Sequence, residues 1–355
     1  MRKQDNSRWD IVSLGEVMLR FDPGEGRIHT TRSFQMWEGG GEYNVARSLR
    51  RCFGLRAAIA TSLADNPIGR LVEDLILQGG VDTSLLQWRP YDGVGRAVRN
   101  GFNFVERGFG PRPALGCSDR GNTAISQVDS ATWDWEQIFG DSGVRCLHTG
   151  GIFAALGEDT PEVAAAAMRS ARKNGALVSY DLNYRASLWE GFGGNARAKQ
   201  VNSELVREAD VLFAGEHDLS ERLGVDLSQV GEGEQRKGQI LRRAVAAYPN
   251  LRALAMTERV EQSAGMHHWG ASAIIDGEFV TADSSAVAVL DRIGGGDSFA
   301  AGLLYGLLED KGAAWAVRCG VAHGALAMTT PGDTSMATFA EVERAMRGTE
   351  MRTVR

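Results

Sequence analysis

Short apolar runs alternate with helical patterns along most of the chain. Runs of this length are typical of strands that are buried on both faces of a parallel sheet. They cover residues 10–14, 57–61, 144–149, 176–180, 211–214 and 252–256. Between them, helix signals recur, such as Pro161 at the start of one helix and Gly175 just beyond its end. The pattern predicts a three-layer α/β/α fold over residues 10–340, with a mainly parallel central sheet and helices on both faces.

Two segments depart from this alternation. Residues 22–38 and 93–124 contain short extended pieces separated by glycine and proline, for example around Phe109-Gly110-Pro111. Such pieces predict hairpins in the second segment and a short excursion from the main sheet in the first. We expect both segments to form a small β-sheet lid over the strand ends, where it would exclude water from a site.

Composition and charge narrow the class of protein. The chain of 355 residues is 43% hydrophobic, and its formal net charge of −6 argues against a general nucleic-acid or anionic-membrane surface. Its apolar runs stay well below the ~20 residues that a membrane helix requires. Four cysteines without paired spacing favour a reducing compartment, so we expect a cytoplasmic protein with small-molecule partners. The polar residues 1–8 are expected to be a disordered tail.

The run Asp291-Arg292-Ile293-Gly294-Gly295-Gly296-Asp297 carries the clearest chemistry. Helical spacing follows it, so Gly294, Gly295 and Gly296 are predicted to form an anion hole from unpaired N–H groups at the positive end of a helix dipole. Asp297 is placed to take a proton from a hydroxyl beside a bound phosphate. This arrangement predicts phosphoryl transfer to a hydroxyl. The alternative is a plain strand-to-helix connection in which Asp297 only complements the dipole.

Two further stretches combine glycines or a strand end with polar side chains. Gly39-Gly40-Gly41 precedes a helix with Asn44 in its first turns, where a ligand could meet the backbone and the side-chain amide. The alternative is that Asn44 caps the helix or faces solvent. Directly after a strand, Asp181, Asn183 and Arg185 alternate and point the same way, with Arg185 suited to a carboxylate or phosphate. The alternative there is a surface Arg185 paired with Asp181.

These motifs together resemble one enzyme family, whereas the dinucleotide G-x-G-x-x-G after the first strand and the P-loop are absent from the sequence. The glycine run before Asp297, and Gly40-Gly41 with Asn44, resemble the two signatures of the ribokinase-like (PfkB) carbohydrate kinases. Asp181-Leu182-Asn183-Tyr184-Arg185 and the Leu188-Trp189 that follows resemble an element of the 2-keto-3-deoxygluconate kinase branch. The resemblance implies ATP-dependent phosphorylation of a primary hydroxyl of a sugar acid, with 2-keto-3-deoxygluconate converted to its 6-phosphate.

The resemblance also implies a role for each matching residue. Substrate contacts fall on Gly40, Gly41, Asn44, Arg120, Arg185 and Asp297, with Asp297 as the catalytic base. Nucleotide contacts fall on Asn183, Thr257, Arg259, Gly294, Gly296 and His323. Asp218 is the expected metal contact, and the implied cofactors are ATP and Mg²⁺, with a monovalent cation left open. A homodimer through the lid is expected because the open edges of a small sheet are often buried against a second copy.

Departures from the family pattern leave alternatives open. Ser118 and Asn103 stand where the branch has tyrosine on the sugar side, which favours a ribokinase- or fructokinase-like enzyme for a neutral sugar as the alternative. The Asn-x-x-Glu metal element falls on Gly215-Glu216-His217-Asp218, so we expect Mg²⁺ to be held through waters and phosphates. The altered element also leaves open a nucleotide- or sugar-binding regulator with this fold. Glu258 is an unusual carboxylate that we expect near the phosphates.

Overall fold

A computed structural model of the protein describes residues 7–233 and 235–348. Of the predicted disordered tail, residues 1–6 lie outside this described part. Arg8, by contrast, is bonded, because its N–H donates to the carbonyl oxygens of Ser142 and Gly143 at 3.0 Å each. Arg8 therefore belongs to the folded domain rather than to a tail.

Strands and helices alternate as the hydrophobic pattern predicts. The strands are β1 (Trp9–Leu14), β2 (Met18–Asp22), β3 (Gln35–Gly39), β4 (Ala57–Ala60), β5 (Ser62–Asp65), β6 (Gln87–Pro90), β7 (Phe102–Glu106), β8 (Leu115–Asp119), β9 (Val144–Gly150), β10 (Leu177–Asp181), β11 (Val211–Phe213), β12 (Ala253–Ser263), β13 (Met266–Ile275) and β14 (Glu278–Ala288). The helices are α1 (Gly41–Arg51), α2 (Pro67–Gln78), α3 (Thr160–Lys173), α4 (Ala186–Trp189), α5 (Gly194–Val206), α6 (Glu216–Glu221), α7 (Arg236–Ala247), α8 (Gly295–Leu308), α9 (Ala313–Ala327) and α10 (Phe339–Met346).

The central sheet is mainly parallel, as predicted. Over the described ranges it has eight strands in the order β14-β13-β12-β11-β10-β9-β1-β4. Neighbours from β4 to β12 pair in parallel, and β13 and β14 extend the sheet as antiparallel strands. Parallel pairing requires crossover connections, and ligand sites in such sheets lie at the carboxyl ends of the strands.

The sheet is covered on both faces by apolar helix surfaces. Because successive strand residues point to opposite faces, Val12 packs into one hydrophobic cluster and Ile11 into the other. Val163 of α3 lies in the first cluster and Phe299 of α8 in the second. The predicted three layers are therefore present. Each helix of the described chain is too short or too polar to span a bilayer.

A second, smaller sheet has the order β3-β2-β7-β8. It joins two antiparallel hairpins, β2 with β3 and β7 with β8, through a parallel pairing of β2 with β7. Its first strand, Met18–Asp22, begins before the segment 22–38 that the sequence indicated. The segment 22–38 was expected to contain short extended pieces, but residues 28–30 within it form a turn. The two-stranded parallel sheet of β5 and β6 was not predicted.

Glycines let α8 and α9 pack unusually close together, as the four-residue spacing of Gly302 and Gly306 predicts. A Cβ atom on Gly302 would lie 2.8 Å from Gly320 Cα, and one on Gly306 would lie 2.5 Å from Ala316 Cβ. Backbone atoms, unlike flexible side chains, cannot move aside. This contact fixes α8, and with it the loop before α8, against the rest of the domain.

We predict that Gly302→Ala lowers the free energy of unfolding by about 1–3 kcal/mol, because the methyl group overpacks a backbone contact. Urea unfolding followed by circular dichroism measures the change. Gly191→Ala is the matched control, since open space surrounds the position of its added Cβ. Equal free energies of unfolding for the two variants would contradict this prediction, because they would show that α8 and α9 can move apart to fit the methyl group without loss of stability.

Candidate active site

The predicted site residues converge at the carboxyl ends of the parallel strands. Asp181 ends β10, Asn183 follows it, and α1 and α8 begin nearby. A Cβ atom on Gly41 would lie 3.6 Å from Asn183 Nδ2 and 3.7 Å from Asp297 Oδ1. Three motifs that are far apart in the sequence therefore border one small space.

The N-terminus of α8 presents unpaired donors. Gly294 caps the helix with a φ of +79°, a left-handed conformation that favours glycine. The carbonyl oxygen of Asp333 occupies the place where a Gly294 side chain would stand. In the described chain, the N–H groups of Gly295, Gly296 and Asp297 donate no hydrogen bond. These groups, here called the anion cradle, can hold an anion at the positive end of the helix.

Asp297 stands at the edge of the anion cradle with a partly exposed side chain. Asn44 Nδ2 donates to Asp297 Oδ2 at 2.7 Å, which joins the first turn of α1 to that of α8. Burial raises the pKa of Asp297 to about 6, while the bond from Asn44 opposes the shift. Asn44 Oδ1 is buried and has no partner in the described residues. Asn44 thus orients the carboxylate and keeps an acceptor free for a ligand hydroxyl.

Two carboxyl groups to which the motifs assigned no role lie close to Asp297. Burial raises the pKa of Glu42 to about 8 and that of Asp181 to about 7, and the charge of Asp297 adds to both shifts. Glu42 is only 3% exposed and rests on Gly15, where a Cβ atom would overlap it. At neutral pH Glu42 therefore carries a proton, which limits the negative charge around Asp297. Its position directly after the glycines of Gly40-Gly41 was the signal that could have found it.

The two arginines predicted to contact the substrate differ in how many of their hydrogen-bond donors are already paired. Arg120 Nε donates to Glu16 Oε2 at 2.9 Å, and Nη2 contacts the same oxygen, so one edge of the guanidinium is occupied. Arg185 is exposed and donates to the Tyr184 carbonyl oxygen at 3.2 Å. No described carboxylate forms an ion pair with Arg185, so the alternative of a pair with Asp181 is absent from this part of the chain. Arg185 remains available for a charged ligand.

The predicted nucleotide side is formed by β12. Thr257 and Arg259 alternate along an exposed stretch of this strand, and Arg259 pairs with Glu261 at 3.2 Å. Burial lowers the pKa of Arg259, and the nearby charge of Arg292 lowers it further. Two cations thus lie close together at this side, where a polyphosphate would relieve their repulsion.

Glu258 does not contribute to this surface. Its Oε1 accepts a hydrogen bond from Ser272 Oγ at 2.7 Å, and its other oxygen pairs with Lys237. Strand alternation turns Glu258 away from Thr257 and Arg259, whereas the second carboxylate of this stretch, Glu261, lies 3.2 Å from Arg259.

His323 also needs correction. Its side chain is 0% exposed, its Nδ1 lies 2.7 Å from the Ser298 carbonyl oxygen, and its ring packs against Phe53. Burial lowers the pKa of His323 to about 4, so it is a neutral group between α8 and α9. Its side chain does not reach the cleft, and direct contact with a nucleotide is excluded for it.

Asp218 lies in the first turn of α6, where its Oδ2 accepts the Gly215 N–H at 3.4 Å. Its charge is close enough to raise the pKa of Asp181. Within the described ranges, no three side chains of His, Cys, Asp or Glu are grouped to hold a metal ion. A single carboxylate at this edge of the sheet fits a Mg²⁺ ion that keeps most of its waters.

A cavity of about 520 Å³ adjoins the anion cradle. Arg107 and Arg112 line it from the loop after β7, and Arg292 lines it from the loop before α8. Asp297 and Asn44 do not line it.

Comparison with known proteins identifies the family. Residues 122–339 match the model described as pfkB family carbohydrate kinase. The chain is 30% identical over 340 residues to the 2-dehydro-3-deoxygalactonokinase of Haloferax volcanii, covering 96% of this chain and 97% of that protein. It is 26% identical over 329 residues to the 2-dehydro-3-deoxygluconokinase of Bacillus subtilis, covering 91% of each.

A solved structure agrees with these relatives. The crystal structure of 2-dehydro-3-deoxygluconokinase from Thermotoga maritima matches with a TM-score of 0.87 and 32% identity, covering 95% of this chain and 98% of that one. The predicted ribokinase-like fold and the resemblance to 2-keto-3-deoxy sugar acid kinases are thereby confirmed, since 2-dehydro and 2-keto denote the same group. The chain belongs to the pfkB family of carbohydrate kinases.

Proposed function

We propose that this sugar kinase transfers the γ-phosphoryl group of ATP to a primary hydroxyl of 2-keto-3-deoxygluconate, giving the 6-phosphate. The observation that carries the proposal is the Asp297 carboxylate, which is bonded to Asn44 and stands beside the unpaired N–H groups of α8. The two curated relatives act by name on the gluconate and the galactonate forms of one sugar acid. A gluconokinase of known structure is 32% identical to this chain, and we take the gluconate form as the substrate to test first.

In the proposed mechanism, Asp297 accepts the hydroxyl proton as the oxygen attacks the γ-phosphorus. The new oxygen–phosphorus bond forms while the bond to the β–γ bridging oxygen breaks, and ADP leaves with that electron pair. The N–H groups of the anion cradle donate to the oxygens of the transferred group, where charge is greatest. Asp218 is the residue that would hold Mg²⁺ through water, and the ion would neutralise part of the phosphate charge. Dependence on a monovalent cation stays a prediction.

In this proposal, the positive charges of two arginines select a sugar acid over a neutral sugar. Arg185 is exposed without a carboxylate partner in the described chain, and Arg120 keeps one edge of its guanidinium free of Glu16. A planar guanidinium binds a carboxylate through two parallel hydrogen bonds. We assign both arginines to the acid group of the substrate and the second sheet to a lid above it. The four free cysteines, three of them buried, support a cytoplasmic location.

The second sheet also supports a homodimer. Its outer face carries Phe21, Phe34, Phe102 and Phe104, whose ring centroids lie 5.0–6.0 Å apart and whose side chains are all partly exposed. Beside them, the edge strand β8 is exposed along its whole length. A row of aromatic rings next to an open edge is a surface that a second copy of the chain would cover.

The proposed function is tested by ADP release with a panel of neutral sugars and sugar acids. We expect 2-keto-3-deoxygluconate to be turned over fastest. Arg185→Ala should raise its KM by about 10- to 100-fold, because a charged hydrogen bond is lost, and should change the KM of neutral sugars little. Arg169→Ala, at an exposed arginine of α3, is the control.

Other outcomes of the same assay identify the alternatives. Faster turnover of ribose or fructose would make the protein a neutral-sugar kinase, and equal losses for acids and neutral sugars in Arg185→Ala would remove the acid assignment. Nucleotide binding without ADP release for any sugar would favour the alternative of a nucleotide- or sugar-binding regulator with this fold.

The pKa of Asp297 sets a prediction for pH dependence. Because the base acts as the carboxylate, kcat/KM should fall about tenfold per pH unit well below the pKa of about 6 and should rise to its full value about one unit above that pKa. Asp297→Asn should lower turnover by about 10²- to 10⁴-fold and should still bind nucleotide. The fall in kcat/KM at acidic pH should be absent from this variant. Wild-type-like turnover in Asp297→Asn would contradict the assignment of the base.

We predict that Phe104→Asp changes the protein from dimer to monomer in sedimentation equilibrium, because a charge is placed in the apolar face of the second sheet. Leu77→Asp, at a residue of α2 that is 54% exposed, is the control and should leave the mass unchanged. A monomeric wild-type chain, or a dimeric Phe104→Asp variant, would contradict this interface.

A further inference from the structure

A completely buried cation lies behind the anion cradle. Arg20, on β2 of the second sheet, is 0% exposed. Its Nη2 donates to Asp291 Oδ2 and its Nη1 to Asp333 Oδ1, both at 2.6 Å, and Asp22 Oδ2 lies 3.6 Å from Nη2. A buried charge is tolerated only when it is paired, so the guanidinium and these carboxylates hold each other in one arrangement.

The two carboxylates that Arg20 holds shape the loop that leads into α8. Asp291 Oδ1 accepts the Ile293 N–H at 3.2 Å, and its Oδ2 also accepts the Gly332 N–H at 3.3 Å. Asp333 acts from the other side, because its carbonyl oxygen packs on Gly294 where a side chain would stand. The backbone immediately before the anion cradle is therefore fixed by groups that Arg20 holds.

Arg20 also belongs to the face of the second sheet that carries the predicted sugar side. Residues paired across the four strands form one row in the order Trp37, Arg20, Asn103 and Ser118. Ser118 Oγ donates to Asn103 Oδ1 at 3.1 Å, and the Trp37 ring packs against Gly332, where a Cβ atom would lie 2.9 Å from it. Neighbouring strands lie only ~4.8 Å apart, so a shift of this row moves Arg20.

We propose that Arg20 is a positioning residue through which the second sheet sets the geometry of the anion cradle. Its side chain is 0% exposed, and its described hydrogen bonds go to Asp291 and Asp333 rather than to Asp297. Movement of the sheet as it closes on a sugar would reach the donors of α8 through Asp291 and Asp333. This inference rests on the proposed phosphoryl transfer. It adds that Arg20 connects the sugar-binding face of the second sheet to the geometry of the anion cradle.

Arg20→Lys is the main test, with Arg145→Lys as the matched control. Arg145 is equally buried, with an exposed fraction of 5%, and its Nη1 donates to Asp10 Oδ1 and Glu309 Oε1 at 3.1 Å each. It lies at the start of β9, whereas the site lies at the end of that strand. Both variants replace a buried, paired guanidinium by an ammonium group, so general destabilisation affects them alike.

For Arg20→Lys we expect kcat to fall by about 10- to 100-fold with the sugar KM nearly unchanged, because the cradle is displaced while the sugar contacts remain. Binding of a non-hydrolysable ATP analogue, measured by calorimetry, should weaken about tenfold. A guanidinium salt should restore turnover in Arg20→Ala by filling the space left between the carboxylates. Arg145→Lys should keep kcat and analogue affinity once the folded fraction is taken into account.

Equal kcat and equal analogue affinity in Arg20→Lys and Arg145→Lys would overturn the inference. If the Arg20 variants do not fold, Asp333→Asn keeps the shape of the network and should still lower kcat and analogue affinity, and wild-type values there would also overturn it. The analogue titration needs no turnover. Failure of the proposed function would instead show as wild-type protein that releases no ADP with any sugar.

Discussion

The hydrogen bond between Asn44 and Asp297 is the interaction on which the site depends. It joins the first turn of α1, near the start of the chain, to the first turn of α8, near its end. The bond holds the Asp297 carboxylate in one orientation, and it opposes the rise in pKa that burial causes. The bond forms because parallel strands bring the N-termini of α1 and α8 to the same edge of the sheet. Glycine at Gly41 keeps side chains out of the space between them.

Electrostatics around Asp297 is a balance between crowded acids and the charges that face them. Glu42, Asp181 and Asp297 each have a pKa raised by burial, so the acids do not all ionise together at neutral pH. The unpaired N–H groups of α8 and the exposed cation of Arg185 provide the opposite field. Under the proposed function, a polyphosphate and an acid substrate would add negative charge here, and in the described chain Arg185 has no carboxylate partner that would compete with them.

The second sheet, which we propose as a lid, is also connected to the loop before α8. Its inner face contributes Arg20 to the network behind the cradle, and the same row carries Asn103 and Ser118, the positions that depart from the branch pattern. If the proposed roles hold, the residues for substrate preference and those for phosphate geometry lie in one row across three neighbouring strands, β2, β7 and β8. A change of side chain on the sugar side of this row has a direct route to the loop before α8.

The sequence by itself determined the local features of this protein. Apolar runs located six of the eight strands of the central sheet, and the glycines before Asp297 located the N–H groups of α8 that lack partners in the described chain. Each of these depends on neighbours within one or two helical turns. Glycine spacing on α8 predicted a close helix contact for the same reason, although its partner, α9, was not specified.

Tertiary structure alone decided which groups meet and which are buried. A helical position for His323 favoured packing, but only the fold shows that its ring lies against Phe53 and Ser298, and strand alternation turns Glu258 towards Lys237 and Ser272. The ion pairs of Arg20 connect residues 271 and 313 positions apart, and no local periodicity encodes such a distance. Burial and long-range pairing arise only when the whole sheet assembles, so the raised pKa values and the network behind the cradle are properties of the fold.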